Sequence, residues 1–228
     1  MIVDVIMLSK GDTPNKRQMT QNAINSIHAS ESHHTFNIVV VETMPNVVYK
    51  NCANIHPNEQ FHYNKFTKIG YSHCDQSDYI LFVNNDIRAH HNFVSEMLKG
   101  LEAGYHSVSP TCPRINEHRA LQGEFLEGFS IWSPARFCGW AFMMKKSTVE
   151  SLGLSKLFPN ELHGWYSDNW VCEMLKNNGL KHALVKAAKL EHFQSMTLKS
   201  LDKEENIFYT TGQKENFDDL LAGFDDNL

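Results

Sequence analysis

Continuous apolar runs alternate with amphipathic stretches along the first half of the chain. Residues 2–8, 36–41 and 79–83 are apolar runs with the length and the β-branched composition of buried strands. Residues 17–30, between the first two runs, carry apolar side chains at helical spacing. Strands that alternate with helices favour βαβ units. The pattern therefore predicts an α/β fold with a mixed, mainly parallel central sheet flanked by helices.

The rest of the pattern predicts further strands and helices around this sheet. Residues 43–62 and 110–136 lack periodicity and contain prolines, which indicates loops, with one short strand in the first of them. Capping patterns indicate helix starts at Ser147 and Ser167. We expect helices over residues 63–74, 93–101, 147–153 and 170–178, and strands over residues 105–109, 137–144 and 182–187.

Acidic residues are concentrated at the C-terminus. The formal net charge is -5, and residues 215–228 contain Asp and Glu but no Lys or Arg, which leaves the rest of the chain neutral. A neutral body gives no indication of general nucleic-acid binding. We expect one domain over residues 1–200 and an acidic helical extension over residues 201–228. An apolar stripe in this extension is expected to pack on the body or on a partner, and it consists of Phe217, Leu220, Leu221 and Phe224.

Cysteine spacing and hydropathy bear on the compartment. The 5 cysteines are far apart, without a CxxC pair or a zinc-finger spacing, so we expect reduced, mostly buried thiols. The N-terminal apolar run is interrupted by Asp4, and no stretch reaches the roughly 18 to 20 apolar residues that a membrane span needs. These features predict a cytoplasmic protein without a transmembrane segment.

Polar residues follow two of the predicted strands directly. Asn84, Asn85 and Asp86 come after the apolar run at 79–83, and Glu42 follows the run at 36–41. In open α/β sheets, small molecules bind at the carboxyl ends of the strands, where an acid can hold a divalent cation against a phosphate. The alternatives remain that Asn84–Asp86 form a turn and that Glu42 is an exposed loop acid.

Asp168 and His192 are candidates in the second half of the chain. With Ser167 as N-cap, Asp168 falls in the first helical turn, where an acid is often only a partner of the helix dipole. That dipole would lower the pKa of Asp168 and weaken it as a base unless burial opposes the effect. His192 follows a predicted strand, and such a histidine is often only a structural residue.

The order of these features resembles the GT-A glycosyltransferases, and within them the short family-2-like enzymes of bacteria, phages and large viruses. The resemblance extends over residues 2–197. It begins with Asn64, Lys68 and Gly70 ahead of the apolar run, where Asn84-Asn85-Asp86 stands in place of the DxD motif of the family. It continues with Phe137-Cys138-Gly139-Trp140, which is similar to a strand on the acceptor side. It ends with Trp165-Tyr166-Ser167-Asp168-Asn169, Gly179, His192 and Thr197.

This resemblance implies roles for individual residues. Asp86 and His192 would be the metal ligands, for Mn²⁺ or Mg²⁺, and Asn84, which carries no charge, would bond a ribose or a water. Asp168 would be the catalytic base, with Glu161 as its local competitor. The implied nucleotide-sugar-binding residues are Ser9, Glu42, Asn64, Lys68, Asn84, Asn85, Gly139 and Trp140, and the implied acceptor-binding residues are Trp165 and Glu161, with Trp140 also where acceptors stack.

The implied activity is the metal-dependent, inverting transfer of a sugar from a nucleoside-diphosphate sugar, such as a UDP-sugar, to an acceptor hydroxyl. The implied halves are a nucleotide-sugar half over residues 1–110 and an acceptor half over residues 111–200. The acceptor stays open between a surface glycan and a hydroxymethylated pyrimidine in phage DNA, as does the oligomeric state. The alternatives are a non-catalytic nucleotide-sugar-binding module and a sugar-phosphate nucleotidyltransferase. The latter needs a glycine-rich basic loop that residues 9–12 do not match.

Overall fold

Nine strands form one sheet in the part of the chain that the computed structural model describes, which is residues 1–132, 135–193, 204, 207 and 210–225. The strands are β1 (Ile2–Ser9), β2 (Thr35–Glu42), β3 (Ala53–Ile55), β4 (Tyr79–Asn84), β5 (Ile87–Ala89), β6 (Ser107–Thr111), β7 (Phe125–Glu127), β8 (Ala141–Lys145) and β9 (His182–His192). Their order across the sheet is β3-β2-β1-β4-β8-β6-β9-β5, and β7 also pairs with β9.

The first half of the sheet is parallel. β1 pairs with β2 and with β4, so that Ser9 lies beside Glu42 and Leu8 lies beside Asn84. These strands are covered on both faces, which explains why they are continuous apolar runs rather than alternating ones. Because parallel strands end at the same edge, the polar residues after β1, β2 and β4 lie next to one another.

The second half of the sheet is mixed. β4 and β6 both pair antiparallel to β8, and β9 pairs parallel to β6 but antiparallel to β5 and β7. Four of the eight pairings among the described strands are therefore parallel. The predicted mixed α/β sheet is confirmed, although it is less dominated by parallel pairs than expected.

Helices cover the two faces of the sheet. The described helices are α1 (Pro14–Ser30), α2 (Tyr63–Tyr71), α3 (Phe93–Glu102), α4 (Asn116–Ala120), α5 (Lys146–Leu152), α6 (Leu154–Leu157), α7 (Ser167–Asn177) and α8 (Gln213–Asp225). Buried side chains of α1 and α3 pack in the core on one face, and those of α2, α5, α6 and α7 pack in the core on the other. At Gly70, an added Cβ would lie 2.6 Å from Ile6 Cγ2, so the glycine allows α2 to pack closely on β1.

Several predicted boundaries are wrong, each for a local reason. The predicted strand over 137–144 begins only at Ala141, because residues 139 and 140 form a turn. α7 begins at Ser167 itself, after Tyr166 in a left-handed conformation with φ 64°, so Ser167 is not the N-cap. α5 begins at Lys146 without a side-chain cap, so the predicted capping box does not form. α4 and β7 lie where a loop was expected, and β5 and α6 were not predicted.

The C-terminal helix packs on the body. Phe217, Leu220 and Leu221 contact the core on the face that α7 covers, which confirms packing of the apolar stripe on the body for these three residues. Phe217 stacks on Tyr166, with ring centroids 5.4 Å apart. The five cysteines are free thiols, and four of them are buried. Among the described helices, none has both the length and the apolar character needed to span a bilayer.

Candidate functional site

Asp86 lies at the carboxyl end of β4, directly after the last residue of that strand. β4 is buried along its middle and passes out of the core at Asn84, so the two residues that follow lie at the edge of the sheet. The backbone N–H of Asn84 donates to Trp140 O (2.9 Å), and the N–H of Phe193 donates to Asp86 O (2.9 Å). These bonds fix the backbone on both sides of the Asp86 carboxylate, which is 2% exposed.

His192 meets Asp86 although it lies far away in sequence. It is the last residue of β9, and its pairing with Ile87 of β5 places it beside Asp86. Its Nε2 atom lies 3.2 Å from Asp86 Oδ1. The ring stacks on Trp140, with centroids 5.1 Å apart and planes 12° apart. Antiparallel pairing and stacking therefore hold the imidazole in one orientation toward the carboxylate.

The Asp86–His192 pair fits a divalent cation. His192 Nε2 is buried and makes no hydrogen bond with any described residue, although it lies 3.2 Å from Asp86 Oδ1. A buried polar atom without a partner is costly unless a ligand completes it. A carboxylate oxygen and an imidazole nitrogen are a donor set that Mn²⁺ accepts. The two residues present thus suit a divalent cation.

Gly139 brings Asp168 to the other side of the same turn. A Cβ added at Gly139 would lie 2.5 Å from Asp168 Oδ2 and 2.6 Å from Asp168 Cβ. Only a glycine therefore fits where the carboxylate of Asp168 passes over the backbone. Since Trp140 is the next residue and stacks on His192, one short turn lies between Asp168 and the Asp86–His192 pair.

The half-buried carboxylate of Asp168 lies in the first turn of α7. Its carboxylate accepts a hydrogen bond from the N–H of Asn169 (3.0 Å) in the first turn of α7. Burial nevertheless raises the pKa of Asp168 above its usual value, against the lowering effect of the backbone hydrogen bonds from Asn169 and from Asp168 itself. A raised pKa is what a carboxylate needs to act as a base near neutral pH. Burial therefore does oppose the helix terminus here.

Ser9 and Glu42 belong to a closed hydrogen-bond network at the same edge. Glu42 is 0% exposed, and its Oε1 accepts from the N–H groups of Gly11 (2.9 Å) and Met44 (2.8 Å). Its Oε2 accepts from the hydroxyl of Tyr49 (2.8 Å), which also lies 3.0 Å from Ser9 Oγ. The Glu42 network is our name for the group formed by Ser9, Glu42, Tyr49, Thr20 and Asn85. Its members satisfy one another within the chain.

The two asparagines before Asp86 face different surroundings. Asn85 Nδ2 donates to Thr20 Oγ1 of α1 (2.9 Å) and lies 3.5 Å from Ser9 Oγ, so Asn85 joins the Glu42 network. Asn84 has a half-buried side chain and pairs through its backbone with Leu8 and Trp140. Of the three residues in the DxD position, the second therefore packs inward and the third reaches His192.

Two solved structures on which this chain superposes are glycosyltransferases. The chain superposes on GalNAc-T7, solved with UDP, GalNAc and Mn²⁺, with a TM-score of 0.73 at 9% identity, over 97% of this chain and 48% of that one. It also superposes on a mutant of the Drosophila β-1,4-galactosyltransferase 7, solved with manganese, UDP-Gal and xylobiose, with a TM-score of 0.54 at 11% identity. That match covers 90% of this chain and 79% of the other. The chain has the GT-A fold.

The expected GT-A architecture is thus confirmed by structure alone. No protein-family model matches the sequence, and no curated protein matches it either. The chain spans about half the length of GalNAc-T7. At this level of identity, the likeness establishes the fold and leaves the roles of individual residues to the geometry described above.

Asn64 and Lys68 of this GT-A domain contact residues 159 and 160. Asn64 Nδ2 donates to Pro159 O (2.8 Å), and Lys68 Nζ donates to Asn160 Oδ1 (2.6 Å). Burial lowers the pKa of Lys68, and the carboxylate of Glu161 partly opposes this effect. Asn64 Oδ1 is buried and makes no hydrogen bond with a described residue. α2 thus anchors the segment at 159–161.

Trp165 and Glu161 lie on the surface near α7. Trp165 is 43% exposed, and Glu161 is also exposed. α8 contacts this segment, because Asn216 Nδ2 donates to Glu161 O (2.8 Å) and the N–H of His163 donates to Gln213 Oε1 (2.7 Å). The predicted acceptor side of the GT-A domain is therefore held in part by the C-terminal helix.

Sequence reasoning missed several residues around these groups. Tyr49 and Thr20 complete the Glu42 network but lie in a loop and inside a helix without a distinguishing pattern. Tyr63 lies close to Asp168, whose charge adds to burial in raising the pKa of the phenol. Gln213 is a polar residue that is 1% exposed on an otherwise acidic helix. An isolated uncharged polar residue at the start of an amphipathic helix is the one signal that could have indicated Gln213.

Proposed function

We propose that the protein is a metal-dependent, inverting glycosyltransferase that uses a nucleoside-diphosphate sugar, such as a UDP-sugar. The contact of 3.2 Å between Asp86 Oδ1 and His192 Nε2, at the carboxyl end of β4, carries this proposal. Both groups lie at the carboxyl end of β4 in the GT-A sheet, and Asp168 lies on the other side of the turn that contains Gly139. Both solved neighbours were determined with manganese and with UDP or UDP-Gal, which supports the class of donor.

On the donor side, Asp86 and His192 would hold a cation, Mn²⁺ or Mg²⁺, which would supply positive charge against the negative charge that develops on the leaving diphosphate. The pairing with β5 and the stack on Trp140 hold the imidazole of His192 in place, so no reorganisation of the protein accompanies binding. Asn84, half-buried and uncharged, bonds a ribose hydroxyl or a water in place of the first acid of a DxD motif.

On the acceptor side, Asp168 acts as the base. The acceptor oxygen attacks the anomeric carbon, the bond to the diphosphate breaks, and the acceptor proton passes to a carboxylate oxygen of Asp168. The raised pKa of Asp168 suits it for this step better than Glu161, which is exposed. Gly139 leaves the space in which the carboxylate lies. Attack from the face opposite to the leaving group gives inversion at the anomeric carbon.

The other predicted site residues shape the surroundings of the site. Ser9, Glu42 and Asn85 are saturated by bonds within the chain, so they shape the edge against which a nucleotide lies. Asn64 and Lys68 hold residues 159–160, which precede the acceptor-side segment. Trp140 and Trp165 offer aromatic faces for a sugar or a base to stack on.

The acceptor carries a hydroxyl group and is either a glycan or a hydroxymethylated pyrimidine of DNA. Trp165 is exposed enough to stack on either. A DNA acceptor would have to be single-stranded or to present a flipped base, because the target hydroxyl is otherwise inside the duplex groove. A screen of nucleotide sugars against hydroxymethylcytosine DNA and simple glycans, followed by mass spectrometry, distinguishes the two classes.

Calorimetric titration of UDP, with and without Mn²⁺, tests the donor half of the proposal. We expect Mn²⁺ to strengthen binding in the wild type and to have no such effect in His192→Ala. His73→Ala, which removes an exposed histidine, serves as the matched control and should behave as the wild type. If no nucleoside diphosphate binds under either condition, the proposal is wrong.

Product analysis tests the chemistry. Proton NMR of the first product should show the anomeric configuration opposite to that of the donor, and retention would contradict the role of Asp168. Hydrolysis of the donor in the absence of acceptor separates an enzyme from a non-catalytic binding module, which would bind UDP with Mn²⁺ and turn over nothing.

A further inference from the structure

A second group of metal-binding side chains lies at the opposite edge of the sheet. Glu31, His33 and His34 occupy the turn between α1 and β2, at the amino end of β2, whereas Glu42 and the Asp86–His192 pair lie at carboxyl ends. Within the described residues, this is the one group of three or more such side chains whose ligand atoms converge, with all of them within 4.8 Å of one another.

Two imidazole nitrogens face one carboxylate oxygen. His33 Nε2 lies 3.4 Å and His34 Nε2 lies 3.3 Å from Glu31 Oε2. Both nitrogens also lie near the hydroxyl of Ser95, at 2.9 Å and 3.0 Å, and this hydroxyl donates to Glu31 Oε2. Three nitrogen and oxygen ligands and one hydroxyl thus surround a common point.

The Glu31 carboxylate is positioned in advance. Its side chain is 0% exposed, and its Oε1 atom accepts from the N–H groups of Val94 (2.7 Å) and Ser95 (3.0 Å) in the first turn of α3. Capping of α3 accounts for the two hydrogen bonds that Glu31 Oε1 accepts and for the burial of the carboxylate. The Nε2 atoms of His33 and His34 lie at hydrogen-bond distance from Ser95 Oγ, and both also approach Glu31 Oε2.

Two of the spacings between the ligand atoms match those of a tetrahedral zinc site. With bonds of about 2.0–2.1 Å to nitrogen and oxygen, the ligand atoms of a tetrahedral ion lie about 3.3 Å apart. The two distances from Glu31 Oε2 to the histidines, 3.4 Å and 3.3 Å, agree with that value. A set of two imidazoles and one carboxylate suits a borderline ion such as Zn²⁺ better than Mg²⁺, which prefers oxygen ligands.

We propose that Glu31, His33 and His34 bind a Zn²⁺ ion, with a water as the fourth ligand. The site is separate from the donor cation at Asp86 and His192. It joins the end of α1 to the start of α3, a junction that the N–H of Asn92 already ties to Ser30 O (3.1 Å).

Titration of Zn²⁺ into the full chain, after treatment with a chelator, tests the site. We expect one tight binding event in the wild type that His33→Ala weakens by more than about 100-fold, since loss of a direct ligand exceeds the 10- to 100-fold typical of outer partners. His33 is exposed, so this variant should fold. Saturating Zn²⁺ should raise the Tm of the wild type by about 5 °C and leave that of the variant unchanged.

Two control variants identify the event. His91→Ala removes an exposed histidine just before α3 and should leave tight Zn²⁺ binding and its Tm effect intact. His192→Ala should also retain both, because it alters only the donor site. Equal Zn²⁺ affinity in the wild type and in a double variant with His33→Ala and His34→Ala would overturn the proposal, and so would loss of the event in His192→Ala alone.

Discussion

Two polar groups at the same edge of the sheet differ in how they are satisfied. In the Glu42 network, the carboxylate accepts three hydrogen bonds from within the chain and has no exposed surface. In the acid–histidine cluster, by which we mean Asp86, Gly139, Asp168 and His192, the His192 Nε2 atom is buried without a hydrogen bond from the described residues. In the same cluster, burial raises the pKa of Asp168.

This difference suggests that the Glu42 network stabilises the fold and that the acid–histidine cluster takes part in the reaction. Buried polar groups that satisfy one another stabilise the native backbone, whereas buried groups that remain unsatisfied or perturbed are strained until a ligand arrives. We therefore expect substitutions in the acid–histidine cluster to reduce turnover with little loss of stability. Substitutions in the Glu42 network should reduce stability with little specific effect on turnover.

Asp168→Asn should give the largest effect on turnover. Loss of the base should lower kcat by about 10³-fold, within the range typical of general base catalysis. Since the folded state binds the proton of Asp168 more tightly than the unfolded state does, the ionised carboxylate costs stability above its raised pKa. The neutral amide should therefore leave the Tm unchanged or higher. Steady-state kinetics and thermal unfolding measure the two effects.

The control for this prediction is another acid in a first helical turn. Glu96 occupies that position in α3 and pairs with Lys99 (2.7 Å). Glu96→Gln should leave kcat unchanged, because interaction with the helix dipole alone gives no base. Full activity in Asp168→Asn, with donor binding retained, would assign the base to another residue.

Gly139→Ala should have the next largest effect. The new Cβ would collide with the Asp168 side chain, which lies 2.5–2.6 Å from its position, and would displace the carboxylate. A displacement of about 1 Å at a reacting group costs about 10²-fold in rate. Gly223→Ala in α8, where an added Cβ meets no atom within 4 Å, is the matched control and should keep full kcat. Equal kcat in the two variants would show that the contact has no functional role.

The roles of Asp86 and His192 as metal ligands and of Asp168 as the base stay predictions from the resemblance, and the pattern of the chain itself predicted only the strand ends. Continuous apolar runs located β1, β2 and β4 to within two residues, because strands covered on both faces have no polar position. β5 was not predicted, since three residues with one exposed arginine carry too little pattern. Yet β5 pairs with β9 and thereby brings His192 to Asp86.

The sequence did not predict which buried polar groups form hydrogen bonds with other residues of the chain. Ser9 and Glu42 follow their strands as a ligand site requires, and the donors that saturate them come from residues 11, 20, 44 and 49. Whether a loop residue such as Tyr49 folds back onto the edge depends on tertiary packing. The same limit applies to the N-cap of α7, where Tyr166 in a left-handed conformation replaces the expected Ser167.

Glu42→Ala should show the largest loss of stability. It leaves the buried N–H groups of Gly11 and Met44 without an acceptor. Each unsatisfied buried group costs about 1–3 kcal/mol, so we expect a loss of about 3 kcal/mol in the free energy of unfolding by urea. Glu42→Gln keeps the shape and one acceptor oxygen and should lose less. A stable Glu42→Ala protein that fails to bind UDP would instead place Glu42 in direct contact with the nucleotide.

The pH dependence of kcat/KM should report Asp168. The base must be ionised, so activity should be full above the pKa of Asp168 and should fall tenfold for each pH unit below it. Because burial raises that pKa, the acid limb should lie at higher pH than for an ordinary aspartate, whose pKa is 3.8. An acid limb at or below the ordinary value would contradict burial as the dominant influence on this carboxylate.

Tyr49→Phe is the smallest change that tests the contrast between the Glu42 network and the acid–histidine cluster. Burial raises the pKa of Tyr49 to about 12, so the hydroxyl is neutral and donates to Glu42 Oε2. Hydrogen bonds to charged groups contribute about 1.5–3 kcal/mol, and we expect a loss near the lower end, since Glu42 keeps its two N–H donors. Its kcat/KM should match that of the wild type, as expected for a residue that supports the edge.

Tyr71→Phe provides the matched comparison. The Tyr71 hydroxyl is buried but makes no hydrogen bond with a described residue, so its removal should cost no stability and can increase it. If Tyr49→Phe and Tyr71→Phe unfold at the same urea concentration, the hydroxyl of Tyr49 adds nothing to the Glu42 network. If Tyr49→Phe instead lowers kcat/KM while its stability is kept, the network takes part in binding the donor, and the division between support and chemistry at this edge fails.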